Sequence, residues 1–255
     1  MLTRTKPGLV LLLVLVFAAN LAETSWETSL HGGTPVTAAD NRGAYAVQQF
    51  EPEFINFEFH DKTAIWATYA YSAAYFILFP VLAIALLIAL GRREELAPFR
   101  VLCLAVTADY LVSLPWFVMF PVPERWAYPE SNAILLSDQW SSTLINSIRP
   151  ISAINNSFPS THVSLSVIII IISWLFHVRF RSAMTALAMM VIAATFVLGI
   201  HWLADIVGGV GVGFLSVAIA WRLTDTSERR ELARESAEPV VVRKKRRATR
   251  QLAEA

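Results

Sequence analysis

A histidine and an aspartate stand four residues apart in Gly199-Ile200-His201-Trp202-Leu203-Ala204-Asp205, inside otherwise apolar sequence. On a helix, that i, i+4 spacing puts both side chains on one face. Ionisable groups are costly in lipid, so they pair, face a cavity and mark function. A buried pair that only bridges helices would account for His201 and Asp205 taken alone. It leaves unexplained a second polar cluster upstream, Asn155-Asn156-Ser157-Phe158-Pro159-Ser160-Thr161-His162.

Two histidines and an aspartate, without a third nitrogen or a thiolate, fit phosphoryl transfer. One histidine can attack phosphorus when a carboxylate fixes its tautomer and stabilises the imidazolium. The other can protonate the leaving alkoxide and later take a proton from water or an alcohol. Asp205 is the natural orienter for His201, which makes His201 the nucleophile and His162 the general acid and base. The phosphate needs donors: beside Asn156, Ser157 through His162 runs into a helix start where free backbone N–H groups and the dipole favour an anion, and Ser160 and Thr161 add hydroxyls. Pro159 suits that helix start. Arg149, followed by Pro150, brings a guanidinium able to fork two phosphate oxygens. Asp109 is a further acid in apolar sequence, read as a polar neighbour of the site or as a hydrogen bond to an adjoining helix.

Composition says what must position these groups. Of 255 residues, 55% are hydrophobic and 16% charged, too apolar for a soluble domain of this size. The chain reads as an all-α integral membrane protein. The single cysteine, Cys103, excludes disulfides within the chain and a Cys-based metal site. No Gly-rich phosphate loop or nucleic-acid motif is present.

Residues 1–22 read as a first transmembrane helix or signal anchor, and 23–62 as an extracytoplasmic interfacial segment mixing aromatics and acids. The core, 63–221, carries apolar runs at 64–90, 101–120, 163–178, 183–200 and 206–221. Pro80 predicts a kink in the first of these. Gly209 and Gly213 in the last form a small-xxx-small face that permits close helix approach. Residues 222–255 form a charged tail ending in Arg243-Lys244-Lys245-Arg246-Arg247, expected to be cytoplasmic and disordered in isolation.

Six spans gather Arg4, Lys6, Arg92, Arg93, Arg100, Arg179, Arg181 and the tail on one side. Only Arg42, Lys62, Arg125 and Arg149 fall on the other. The positive-inside rule makes the rich side cytoplasmic, with both termini inside. His162, His201 and Asp205 then lie at one extracytoplasmic level. The expected architecture is a six-transmembrane-helix bundle with an extracytoplasmic-facing active site.

With those residues in view, the sequence resembles the type-2 phosphatidic acid phosphatase superfamily. Its three signatures are a Lys…Arg-Pro element, a Pro-Ser-x-His element and an Arg…His-x-x-x-Asp element. Arg149-Pro150 looks like the end of the first, Phe158-Pro159-Ser160-Thr161-His162 like the second, and His201 to Asp205 like the third. The resemblance implies that His201 carries the phosphoryl group, Asp205 partners it and His162 is the acid, with no metal and no cofactor. It covers roughly residues 149–213. The Lys of the first signature would fall on Ser142 and the Arg of the third on Thr195, and both replacements remove a phosphate-binding cation. The Ser-Phe-Pro-Ser-x-His-Val form is more similar to the branch of inositol phosphorylceramide synthase and its bacterial relatives, which move a phospho-headgroup between lipids or polyols.

The implied substrate is a phospholipid or a polyprenyl phosphate, with a polyol or lipid alcohol as acceptor, in a bacterial plasma membrane and without nucleic acid. Water as sole acceptor would make the protein a lipid or polyprenyl phosphatase. Two readings of other classes compete: a metal-dependent hydrolase using His162, His201 and Asp205 as ligands, and a transporter relaying protons through the same pair.

Overall fold

The computed structural model describes residues 3, 5–32, 34–35, 46–47, 49, 51, 65–128, 131, 133–140, 143, 147 and 152–224. Six apolar helices run through them in chain order: α1 Lys6–His31, α2 Ile65–Gly91, α3 Leu96–Met119, α4 Thr161–Leu175, α5 Arg181–Val197 and α6 Leu203–Leu223. No β-strand occurs among the described residues, only one isolated parallel bridge between Val122 and Asn156. Four helices, α1, α2, α3 and α6, are long and apolar enough to cross a membrane. The other two are shorter: α4 has 15 residues and α5 has 17. At 1.5 Å per residue they rise only about 22 and 25 Å, short of a hydrocarbon core of about 30 Å. The surface fits a lipid surround, with Val14, Phe17, Ile84, Leu111, Val207 and Phe214 all exposed.

α3 is the pillar of the bundle, packing against α6, α1, α4 and α2. Leu86, Leu90, Val101, Cys103, Ile168, Ile172 and Ala220 are buried in the core it shares with its neighbours. The basic residues collect at this end. Lys6 donates to the Arg93 carbonyl, and Arg93 donates to the Phe176 carbonyl at 2.8 Å.

α1 continues through His31, well past the boundary at Ala22. The reason lies in its partners. Glu23, Thr24 and Glu27 are buried against protein, where the Asn155 and Asn156 side-chain amides donate to the two glutamates. Polar residues that solvent alone would hold thus stay in the helix.

α2 carries a π turn at Ala74–Leu78. Pro80 has no N–H to give to the carbonyl one turn back, and the ladder shifts so that Phe79 N–H bonds Ala74 O. Tyr75 and Phe79, four residues apart, share one side of the helix, facing His162 of α4.

The glycine face of α6 acts as the spacing predicts. A Cβ on Gly209 would stand 2.6 Å from Ser160 O, and one on Gly213 would stand 2.7 Å from Ser164 O. Backbone lies on the other side of both contacts and cannot rotate away. Gly213→Ala is therefore expected to push α6 off α4 and cost about 1–3 kcal/mol. The loss would show as a lower Tm of the detergent-solubilised protein; an unchanged Tm would mean that the helices can separate without cost.

Candidate active site

The N-termini of α4 and α6, the C-termini of α3 and α5 and the end of α1 meet at the end of the bundle remote from the basic residues. After α3, the chain makes a backbone strap across this end. Val122 N–H bonds Asn155 O at 2.8 Å, Ser157 N–H bonds Val122 O at 3.0 Å, and Glu124 N–H bonds Ile154 O at 2.8 Å. Further along, Arg125 N–H bonds Ile200 O and Trp126 N–H bonds Gly199 O, both at 2.9 Å. The Trp202 indole N–H closes the strap on Pro123 O at 2.9 Å. One connection thus fixes the loop before α4 against the loop before α6. Gly199 makes this possible: its φ is +74°, and a Cβ there would stand 2.5 Å from Ile134 O.

Asp205 lies at the third position of α6 and accepts the backbone N–H of Trp202 at 2.9 Å, closing the helix N-terminus. His201 sits outside the helix. It meets Asp205 because the cap folds the chain back, so the shared helix face expected from i, i+4 spacing is not what joins them. His201 Nδ1 stands 3.2 Å from Asp205 Oδ2 and 3.1 Å from Ser157 Oγ, and the Ser157 hydroxyl donates to the same Oδ2 at 2.5 Å. A carboxylate only accepts, so Nδ1 carries the proton and Nε2 is left unprotonated. His201 is 5% exposed and Asp205 fully buried.

His162 is half-buried in the first turn of α4, its ring centroid 6.4 Å from that of His201. Tyr75 stacks on it at 4.0 Å and Phe79 at 4.5 Å, both presented by the π turn of α2. The imidazole is held by ring contacts on one side and lines a cavity of about 640 Å³ on the other. That cavity descends between α1, α2, α3 and α4, past Asn156, Thr161 and Asp109 to Leu86, Leu102 and Ile169.

His162, His201 and Asp205 are therefore brought together. Thr161 lines the cavity beside them. Asn156 does so with its amide donating to Glu23. The Ser160 hydroxyl caps α4 by accepting Val163 N–H at 3.4 Å, and its own N–H donates to Asp205 O at 3.2 Å. Pro159 precedes this cap, so it falls one step before the helix start rather than within the first turn. Arg149, Pro150 and Ser142 lie outside the described residues, as do 225–255 of the tail and most of 23–62. Thr195 turns its hydroxyl onto Ile192 O, while its carbonyl accepts His201 N–H at 3.0 Å.

Several neighbours escape the sequence reading. Ser157 opens the Ser-Phe-Pro-Ser-x-His-Val form, but nothing in the sequence joins it to His201 and Asp205. Glu23 and Glu27 had a signal, their i, i+4 spacing at the end of an apolar helix. Arg125 and Glu51 had none. The Arg125 guanidinium, buried, lies 5.2 Å from the centre of the Phe196 ring, beside Thr195. Glu51 accepts Leu203 N–H at the start of α6. Burial pushes the Glu51 carboxyl above its ordinary range, while the Leu203 N–H and the nearby Arg125 charge pull it down and Asp205 pushes it up. Burial lowers the Arg125 guanidinium, and Glu51 opposes that. No group of three or more His, Cys, Asp or Glu that could hold a metal ion occurs among the described residues.

The family model of the PAP2 superfamily matches residues 98–229, just over half of the chain. The chain belongs to the PAP2 superfamily. Membership of the PAP2 superfamily suggests a phosphoesterase, and the apolar helices suggest membrane association. The PAP2 match holds His162, His201 and Asp205 together with the strap. It leaves out α1 and α2, which supply Glu23, Glu27, Tyr75 and Phe79. No curated protein and no solved structure matches the chain.

Proposed function

We propose that this protein cleaves or transfers lipid phosphate esters at the membrane surface through a phosphohistidine on His201. The observation that carries the reading is the pairing of His201, held through Nδ1 by Asp205 and Ser157, with His162 across a gap of 6.4 Å between ring centres. Nε2 of His201 attacks phosphorus as the ester P–O bond breaks, and His162 gives its proton to the departing alkoxide. In the second half His162 takes a proton from water or an alcohol, whose oxygen displaces His201 from phosphorus. Asp205 steadies the imidazolium in both halves.

The cavity beside His162 supports a lipid substrate, because its depth is apolar and lies among the spanning helices. Arg149 supplies a cation for the phosphate in this reading. The positive-inside rule puts the basic end in the cytoplasm and the site at the extracytoplasmic face. An alcohol acceptor, as in the inositol phosphorylceramide synthase-like branch, is favoured by the form of the Pro-Ser-Thr-His element; water alone would make a phosphatase.

The test uses the full chain in detergent micelles with phosphatidate as donor, following free phosphate and new phospholipid in one reaction. Vanadate, which adopts the five-coordinate geometry of the transferring group, is expected to inhibit, and a chelator is not. Activity abolished by chelator and rescued by zinc would replace this chemistry with a metal-dependent one.

A further inference from the structure

Deep in the cavity stands an acid that the phosphoryl chemistry does not use. Asp109 lies in mid-α3 beside Ser164, which follows His162 by two residues in α4. It is 2% exposed, lines the cavity, and its Oδ1 has no hydrogen-bond partner among the described residues. The Ser164 hydroxyl of α4 lies next to this carboxyl and donates its own proton to Thr161 O at 3.2 Å. A buried, unanswered carboxyl oxygen is costly unless a ligand answers it.

A second acceptor lines the same cavity. Asn156 Nδ2 donates to both carboxylate oxygens of Glu23, at 3.0 and 2.9 Å, which fixes its Oδ1 as the acceptor end. That oxygen also has no partner among the described residues. Glu124 lines the wall too, and no Lys or Arg does so among the described residues. The unanswered oxygens of Asp109 and Asn156 suit a ligand group that donates hydrogen bonds. Around and below Asp109 the walls turn apolar, with Val106, Leu102, Leu86, Ile168 and Ile169.

We propose that Asp109 is a specificity-determining residue that receives a hydroxyl or ammonium hydrogen of an amphiphile whose hydrocarbon chain fills the apolar part of the cavity. The inference deepens the lipid-phosphate reading and rests on it for which end of the amphiphile meets His162. Binding itself requires no turnover. The occupant is thus a lipid alcohol or amino alcohol with a donor group besides the reacting hydroxyl, rather than a plain hydrocarbon alcohol.

The experiment measures binding of three probes to the full chain in detergent without a phosphate donor: hexadecanol, the vicinal hexadecanediol and the corresponding amino alcohol. Titration calorimetry gives the affinities and the rise in Tm checks them. At least one of the latter two should bind about tenfold more tightly than hexadecanol, the gain expected of one added hydrogen bond. Whichever gains more identifies the donor. In Asp109→Leu that preference should fall to within about twofold while hexadecanol still binds. Equal affinities in the wild type, or a preference that survives Asp109→Leu, overturns the proposal. Should Asp109→Leu fail to fold, Asp109→Asn decides: loss of at least half the preference upholds the proposal, and an undiminished one overturns it. The phosphoenzyme assay is separate. Equal affinities in the wild type beside an intact phosphoenzyme sink this inference alone; a wild-type preference that Asp109→Leu removes, without any phosphoenzyme, sinks the phosphohistidine reading alone.

Discussion

His201→Ala is expected to abolish both turnover and the phosphorylated enzyme formed from a radiolabelled lipid phosphate. The side chain makes its contacts to Asp205 and Ser157 through Nδ1, so the truncation removes the one nitrogen aimed at phosphorus. The backbone is held independently, by His201 N–H on Thr195 O at 3.0 Å and by the strap on Ile200 and Gly199. The variant should therefore fold with a Tm near that of the wild type. The label should be acid-labile and base-stable, as a phosphorus–nitrogen bond is. His162→Ala should behave differently, slowing formation by about 10²–10⁴-fold with an alkyl ester. A p-nitrophenyl ester, whose leaving group needs no proton, should restore formation but not breakdown. A labelled enzyme that survives His201→Ala would remove the histidine from the nucleophile's role.

The convergence of His162, His201 and Asp205 is legible in the sequence, because each stands at a helix end and the spans alternate in direction. The family match spans all three residues, and the Gly209–Gly213 face does touch backbone as its spacing suggests. The means of convergence were less legible. His201 and Asp205 look like one face of a helix, yet the helix begins between them. A capping carboxylate and a helical i, i+4 pair have the same spacing, and only the cap position separates them. The strap from Val122 to Trp126 has no periodicity, so its backbone bonds leave no trace in residue types. Ser157, bonded to both members of the pair, was lost among neighbours of similar polarity. Glu23 and Glu27 were assigned to the interface because their partners, Asn155 and Asn156, lie more than a hundred residues away. Span number shows the limit of composition alone. The runs 163–178 and 183–200 match α4 and α5 to about one residue in length, and both helices stop short of a hydrocarbon core of about 30 Å.

Asp205→Asn is expected to lower kcat on the order of 10⁴-fold with a small change in KM. Oδ2 of Asp205 takes three hydrogen bonds at once, from the Ser157 hydroxyl, the Trp202 N–H and His201 Nδ1. An asparagine can keep all three only by turning its oxygen to that side. Its amide NH₂ then points where Oδ1 now lies, buried and without a partner among the described residues. Reversed, the NH₂ would face Nδ1 and Ser157, favouring the tautomer with its proton on Nε2 and silencing the nucleophile. Either way the negative charge that stabilises the imidazolium is gone. Ser157→Ala removes only one donor to Oδ2 and leaves the His201–Asp205 contact, so its cost should be nearer tenfold, about 1.4 kcal/mol. Measuring kcat and phosphoenzyme formation for both variants separates orientation from charge. If Asp205→Asn stays within tenfold of the wild type, the aspartate is only a cap for α6, and His201 is activated by something else.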